Sequence, residues 1–311
     1  MQVGQYNMIV KLPIPFGNID TVDVKAPSPD AITRARSEAI AKRIIQATTV
    51  ILKDVVYVDD KPLGDDVKKI PFRSSEYITT QAFNNASKIV RHFDGSSYCT
   101  VCGKENFHTR QGEDDNRISL DRFDVNVFSG SDVNFKIETM SEKESHDMFV
   151  EPFGGENQDD FERRKKCLTF HKFGKEGEDI LEITSMTFRP HTIEDMTKVI
   201  KTAKTPKEVN DLLYFELLTD CDFKWSGPDD EIEDVKDIKN KFAHRPDRLF
   251  RFSHISYYDK IYEQLYEYGI KSAEMVCEHC RNEYDFDLPF ENFFVYALRP
   301  NPGSTHTGKR K

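Results

Sequence analysis

Two short stretches hold most of the reactive side chains of this chain. "YCTVCGKENF" starts at Tyr98 and contains Cys99 and Cys102, and "VCEHCRNEYDF" starts at Val276 and contains Cys277 and Cys280. Each is a C-x2-C pair with a glutamate three positions after its second cysteine, Glu105 and Glu283. A C-x2-C turn can present two thiolates to one ion, with its backbone amides pointing at the sulfurs. Two such turns complete the tetrahedral four-thiolate shell that suits Zn2+. On this reading Cys99, Cys102, Cys277 and Cys280 bind one zinc per chain. The 174 residues between Cys102 and Cys277 then form an excursion whose two ends the metal staples together. A closed four-thiolate shell has no open coordination position, so the expected role is structural.

Other arrangements satisfy the same spacing. The pairs could bind one ion each, completed by His108 and His279. They could be redox dithiols, although neither sits in a strand-to-helix context of thioredoxin type. They could also pack without metal. Cys167 and Cys221 stand alone and read as ordinary buried thiols.

A search for a catalytic site yields little. "GSTHTGK" near the end fits G-x4-G-K, but Arg310 stands where a metal-binding Ser or Thr belongs and no helix can follow. No H-E-x-x-H, G-x-S-x-G or G-x-G-x-x-G occurs. His191 and His244 lie near prolines and read as turn residues. The acidic groups Asp59 and Asp60, Asp65 and Asp66, and Asp229, Asp230 and Glu231 read as solvated loops. The chain is expected not to be an enzyme. An enzymatic alternative would need Asp65, Asp66 or Cys221 to meet a histidine in a pocket.

The totals bound the partners. With 311 residues the chain can build one large domain or two ordinary ones. A net charge of -10 argues against a general binder of phosphate backbones, since basic clusters occur only at residues 163–166 and 309–311. No apolar run approaches the ~20 residues of a membrane-spanning helix. The first residues lack the basic start and long apolar stretch of a signal peptide, so a reducing cytoplasm is the expected compartment. Aromatic density in "YYDKIYEQLYEY" and "FENFFVYAL" suits either a protein–protein interface or core packing.

The elements that must position the cysteines can be read in outline. Strands are expected at 8–12 and 21–25, flanking a turn made by Pro13, Pro15 and Gly17. A helix follows, with Ser28 as N-cap and Pro29 at its first position. "TVILKDVVYVDDKPLG" reads as extended, and a second helix is expected over 75–92, leading into the first cysteine pair. "EPFGGENQDDFERRKK" reads as a surface loop, and "CLTFHKFGKEGEDILEITSMTFRP" as a hairpin around Gly174 and Gly177. Helices are expected over 193–203 and from Pro206, capped by Thr205, to Leu218. "SGPDDEIEDVKD" reads as a solvated face or loop. "HISYYDKIYEQLYEYG" reads as a helix stopped by Gly269. Apolar strand-like stretches follow both pairs, "ISLDRFDVNVF" and "DFDLPFENFFV", and residues 301–311 read as an extended tail.

The order of these features resembles the baseplate hub subunit family of contractile-tailed bacteriophages of the T-even type. Its members begin with a strand and a proline-led turn closed by glycine, then a strand, a helix and a further helix ending in a C-x2-C knuckle. The matching pieces are "VKLPIPFGNIDTVDVKAPSPDAITRARSEAI" and "ASKIVRHFDGSSYCTVCGKENF". Members also finish with a C-x2-C knuckle, an apolar strand and paired phenylalanines, as in "VCEHCRNEYDFDLPFENFF". The turn lacks the family's serine and basic residue between proline and glycine. The resemblance covers about the first 125 and last 55 residues, while the stretch from Val127 to Ser253 has no counterpart.

The resemblance implies a non-catalytic virion or assembly component, located in the tail baseplate and in the host cytoplasm during assembly. Its partners would be other baseplate or tail proteins, and a homo-oligomer is compatible with it; neither membrane nor nucleic acid is an expected partner. The expected fold is α+β: an N-terminal β-hairpin with helices, a split zinc-ribbon-like knot formed by the two knuckles, and a mixed α/β middle insertion. The expected parts are 1–125 with the first knuckle, 126–253 as the insertion, and 254–311 with the second knuckle and the tail. The alternative function is a zinc-ribbon adaptor binding nucleic acid or the transcription machinery.

Overall fold

In the computed structural model the described residues are 7–86, 92–93, 95–108, 118–119, 123–130, 132–138, 180–226, 232–244, 246–249, 255–288 and 290–298. They form helices and antiparallel sheets in an α+β arrangement of two units. One joins Met1–Ser129 to Tyr268–Lys311, and the other is Gly130–Glu267.

The first unit starts from an antiparallel hairpin of Met8–Phe16 and Ile19–Val24, turned at Gly17 (φ 57°). Its first strand runs beyond residue 12, through Pro13 and Pro15, and its pairing with the second breaks between Lys11 and Phe16. A serine restores the bonding there. The Ser74 hydroxyl accepts from the Ile14 N–H at 2.9 Å and donates to the Ile14 carbonyl at 2.8 Å. Val56–Val58 and Lys61–Pro62 complete a four-stranded sheet. Between its last two strands, Asp59 and Asp60 both take positive φ (49° and 61°), as a tight two-residue hairpin turn requires.

Ser28 caps the Pro29–Ile40 helix by accepting from the Ala31 N–H. The next segment corrects the first part of the extended reading: Ile44–Val55 is a helix, and the strands begin only at Val56. Ala47, Thr48, Ile51, Leu52 and Val55 are its buried residues, a single face at helical spacing. Burial of that face outweighs the weak helix preference of its β-branched residues. The following helix, Phe72–Ala86, packs on the first strand and stops short of His92, which lies in a two-residue strand. The helix therefore does not run into the first knuckle; the Gly95–Tyr98 strand intervenes.

Another correction concerns the end of the chain. The Glu283–Phe286 strand takes in only Asp285 and Phe286 of "DFDLPFENFFV", and Phe290–Ala297 is a helix. Phe293 and Phe294 are fully buried, and Phe294 meets Phe83 edge-on with centroids 6.0 Å apart. Burial of each ring contributes ~2–3 kcal/mol.

The excursion leaves and returns at one place. Val125–Asn126 pairs antiparallel with Gly269–Ile270, and the Lys271 N–H donates to the Asp124 carbonyl at 2.8 Å. Phe128 meets Tyr268 edge-on with centroids 5.4 Å apart.

The second unit is built on the antiparallel strands Phe135–Glu138, Ile180–Phe188 and Leu218–Ser226. Its helices are Ile193–Thr202, Pro206–Leu217, Val235–Phe242, Pro246–Leu249 and Ile255–Leu265. Thr192, Thr205 and Asp234 each make a reciprocal capping box. The Val235–Phe242 helix arises within the acidic stretch read as solvated, because Ile238 and Phe242 enter the core. The Ile255–Leu265 helix also belongs here, burying Ile261 and Leu265 among Ile183, Phe188 and Leu217. The second unit thus runs from Gly130 to Glu267. The loop at 151–166, the turn around Gly174 and Gly177, Cys167 and the tail at 301–311 lie outside the described residues. No helix among the described residues is long and apolar enough to cross a membrane.

Candidate metal centre

Each cysteine pair sits at the tip of an antiparallel hairpin. Gly95–Tyr98 pairs with Glu105–His108, and Ala273–Val276 pairs with Glu283–Phe286. The last strand pair before the first tip is Tyr98 with Glu105, and before the second Val276 with Glu283. The repeated glutamates are therefore closing positions of the two hairpins. Inside each tip the same backbone bonds recur. Cys99 N–H donates to the Lys104 carbonyl at 3.0 Å and Gly103 N–H to the Cys99 carbonyl at 2.8 Å. Cys277 N–H donates to the Asn282 carbonyl, and Arg281 N–H to the Cys277 carbonyl, both at 2.9 Å. The four residues after each first cysteine are thus folded into equivalent knuckles.

The two knuckles face each other. All four Sγ atoms lie within 4.8 Å of one another. Cys99 Sγ is 3.8 Å from Cys280 Sγ, and Cys102 Sγ is 3.7 Å from Cys277 Sγ. Exchanging one knuckle for the other maps the first contact onto the second, as a local two-fold would. These separations also fit a shared ion: Zn–S bonds of ~2.3 Å in a tetrahedron place the sulfurs about 3.8 Å apart. The four cysteines can hold a metal ion.

Polar bonds fix the facing geometry. Asn106, fully buried, accepts at Oδ1 from the Glu278 N–H of the opposite knuckle at 2.9 Å. Its amide nitrogen donates to the Lys104 carbonyl at 3.3 Å. The Ser97 and Tyr284 hydroxyls join the two hairpins at 2.6 Å. His279 Nε2 donates to the Glu105 carbonyl at 3.0 Å, which ties it to the other knuckle's backbone. The side chain of His108 lies outside the described residues. Asn106, Ser97 and Tyr284 are the residues that sequence reasoning missed; nothing in their spacing marks them, because each bond joins segments more than 170 positions apart.

The electrostatics of the cluster suit a cation. Burial resists ionisation of Cys277, but the backbone N–H groups of Cys280 and His279 and the neighbouring thiols outweigh it and bring it down to about 6. At Cys102 the Lys104 N–H favours the thiolate, yet desolvation and the other three sulfurs push it up to about 11. One thiolate is easily formed and the next is opposed. A divalent cation removes that opposition, because it stabilises all four negative sulfurs together.

Other candidates disperse. Asp65 pairs with Lys53 and Lys68, and Asp66 with Lys69, on the surface. Asp229, Asp230 and Glu231 lie outside the described residues, and His244 is exposed in a turn. His191 is buried beside Tyr266, with ring centroids 5.6 Å apart. Cys221 lines a hollow of about 690 Å³ with Asp222, Trp225 and Glu233, and no histidine is among its described lining residues. Burial, reinforced by Asp220, Asp222 and Asp234, pushes its thiol up to about 12, the opposite of an activated nucleophile.

Comparison of the chain with protein-family models, with curated proteins and with solved structures finds no match.

Proposed function

We propose that this chain is a non-enzymatic structural protein in which Cys99, Cys102, Cys277 and Cys280 hold one Zn2+, forming a split zinc-ribbon-like knot. The observation that carries the reading is the set of four sulfurs at near-tetrahedral separations on two facing hairpin tips. With every donor supplied by cysteine the shell is closed, which supports a structural role. The metal would hold both ends of the excursion in one unit.

We extend the proposal to a component of a contractile phage tail baseplate hub, present in the virion and assembled in the host cytoplasm through contacts with other tail proteins. The order of motifs at the two ends of the chain supports this, and those ends gather in the same unit. Charge supports a division of labour. The unit with the knuckles contains 23 Lys and Arg against 23 Asp and Glu, whereas Gly130–Glu267 contains 21 against 31. The whole net charge of -10 therefore falls on the excursion, which suits a surface meeting basic neighbours. The neutral knuckle unit gives the nucleic-acid adaptor no basic excess to work with.

Elemental mass spectrometry of protein purified under reducing conditions should find one zinc per chain. Cys99→Ser and Cys280→Ser should each lose the metal, precipitate more readily and melt at lower temperature, and a chelator should lower the wild-type melting point by a similar amount. Wild-type-like melting of both variants would remove the metal staple. Proteomics of purified contractile tails should find the chain among baseplate proteins; its absence from tails and from tail-assembly intermediates would remove the baseplate reading.

A further inference from the structure

The four thiols differ in access, and the difference follows the contacts. Cys99 and Cys277 are 1% and 0% exposed, while Cys102 and Cys280 are half-buried. Two close contacts cross between knuckles, and each joins one reachable thiol to one buried thiol: Cys280 to Cys99 at 3.8 Å, and Cys102 to Cys277 at 3.7 Å. An accessible sulfur beside a second sulfur is the arrangement in which a peroxide oxidises the first and the second resolves it.

We propose that the cluster is an oxidative modification site, at which hydrogen peroxide converts the two cross-knuckle pairs, Cys99–Cys280 and Cys102–Cys277, into disulfides. The zinc-loaded starting state rests on the reading above; the choice of pairs rests on the two cross-knuckle contacts. Peroxide transfers one oxygen to the Cys280 sulfur, forming a sulfenic acid and releasing water. The Cys99 sulfur then attacks, the S–S bond forms, the S–O bond breaks, and the departing hydroxide takes a proton to leave as water. Cys102 and Cys277 react in the same way. Each pair gives up two electrons and reduces one peroxide to two waters. From the zinc-loaded state, four thiolates, two peroxides and four protons yield two disulfides, four waters and free Zn2+. To reach the ~2.05 Å of an S–S bond, each contact shortens by less than about 1.8 Å.

The pairing has a consequence for the fold. Cross-knuckle bonds keep Cys102 tied to Cys277, so the 174-residue excursion stays closed after zinc departs. Disulfides within each C-x2-C would free the two hairpins from each other.

The test treats the zinc-loaded full chain with a small excess of peroxide, alkylates residual thiols and digests without reduction. Trypsin cleavage after Arg91, Lys104, Lys271 and Arg281 releases peptides 92–104 and 272–281, each with one knuckle. The expected product is the two peptides joined, lighter than their sum by four hydrogens, with fragmentation assigning Cys99 to Cys280 and Cys102 to Cys277. All bound zinc should be released as the two bonds form. Separate peptides with internal disulfides, unlinked sulfinic acids, linkage of Cys99 to Cys277, or intact thiols with retained zinc would each overturn the proposal. If the protein starts without zinc and still yields the expected linked peptides, the zinc reading fails and the oxidation site stands. If zinc is bound at the start and no cross-knuckle bond forms, the oxidation site fails and the zinc reading stands.

Discussion

Gly103 and Arg281 occupy the same place in the two knuckles, each directly after a second cysteine and each in the left-handed region, with φ of 69° and 62°. Each N–H closes its knuckle onto the carbonyl of the first cysteine, Cys99 or Cys277. Glycine adopts this conformation freely, whereas a side chain there costs about 1–2 kcal/mol. The second knuckle therefore has the same backbone as the first and carries strain that the first lacks.

Arg281→Gly should relieve that strain. Part of the gain is offset by the greater freedom of glycine in the unfolded chain, leaving a net stabilisation of about 0.5–1 kcal/mol. Gly103→Ala should destabilise by about 1 kcal/mol or more. A Cβ at Gly103 meets nothing within 4 Å, so that loss would come from the backbone alone. Thermal melts of the zinc-loaded proteins read both changes. A melting point for Arg281→Gly below that of the wild type would contradict the strain argument.

Asp195 links a helix cap to an ion pair. Its carboxylate accepts from Arg189 Nη1 and Nη2 at 2.7 and 2.8 Å, and from the Thr192 N–H and hydroxyl at 2.9 and 2.8 Å. Burial acts to raise its pKa, but the Arg189 and Thr192 bonds prevail and hold it below the ordinary 3.8. A carboxyl with a depressed folded pKa adds stability that is present above 3.8 and lost as pH falls below it. Asp195→Asn should therefore cost about 1–3 kcal/mol at neutral pH. The gap to wild type in denaturant titrations should narrow in acid; a gap unchanged well below pH 3.8 would show that charge plays no part.

Arg73 holds the root of the excursion. Its guanidinium donates to the Tyr268 carbonyl at 3.1 Å, the Ile270 carbonyl at 2.7 Å and Glu76 Oε2 at 2.6 Å. The Arg73 and Glu76 side chains are only 16% and 11% exposed. Burial raises the Glu76 pKa and Arg73 opposes that rise, so removing Arg73 leaves a carboxylate with little water and no partner. Arg73→Met should cost about 3–5 kcal/mol, and Arg73→Met with Glu76→Leu should recover much of it. In the single variant stability should increase as pH falls, because the raised carboxyl becomes neutral. Equal losses in the single and double variants would place the effect in the carbonyl bonds instead.

What the sequence disclosed was local. Ser28 with Pro29, and Thr205 with Pro206, mark helix starts because cap and first turn lie within four residues. The cysteine spacing likewise encodes each knuckle, and the sulfurs' pairing follows from the fold. The Ile44–Val55 helix escaped because Arg43 gives it no side-chain cap and its β-branched run also suits a strand. "FENFFVYA" escaped for a related reason: its phenylalanines read as a strand until Phe83 is placed against Phe294. The Ile255–Leu265 helix was legible as a helix but not as part of the excursion, since only tertiary packing assigns Ile261 and Leu265 to that core.

The paired root makes the excursion removable. Asn126 lies opposite Gly269 and Val125 opposite Ile270, and Phe128 and Tyr268 still touch just beyond them. Antiparallel partners have Cα atoms only ~4.5–5.5 Å apart, a gap that a few residues can bridge. The chain lost, Gly130–Glu267, keeps its own sheet and its own core, so its removal exposes no half-built layer within its own unit. Replacing 130–267 by a short Gly-Asn-Gly linker should therefore leave a folded protein that binds zinc with wild-type stoichiometry. Its formal charge should rise from -10 to zero, because the excess of acidic residues lies in the deleted segment. Zinc content, circular dichroism and the melting point of the shortened chain check the idea. A chain that stays unfolded with zinc present would show that the excursion is needed to close the knuckles.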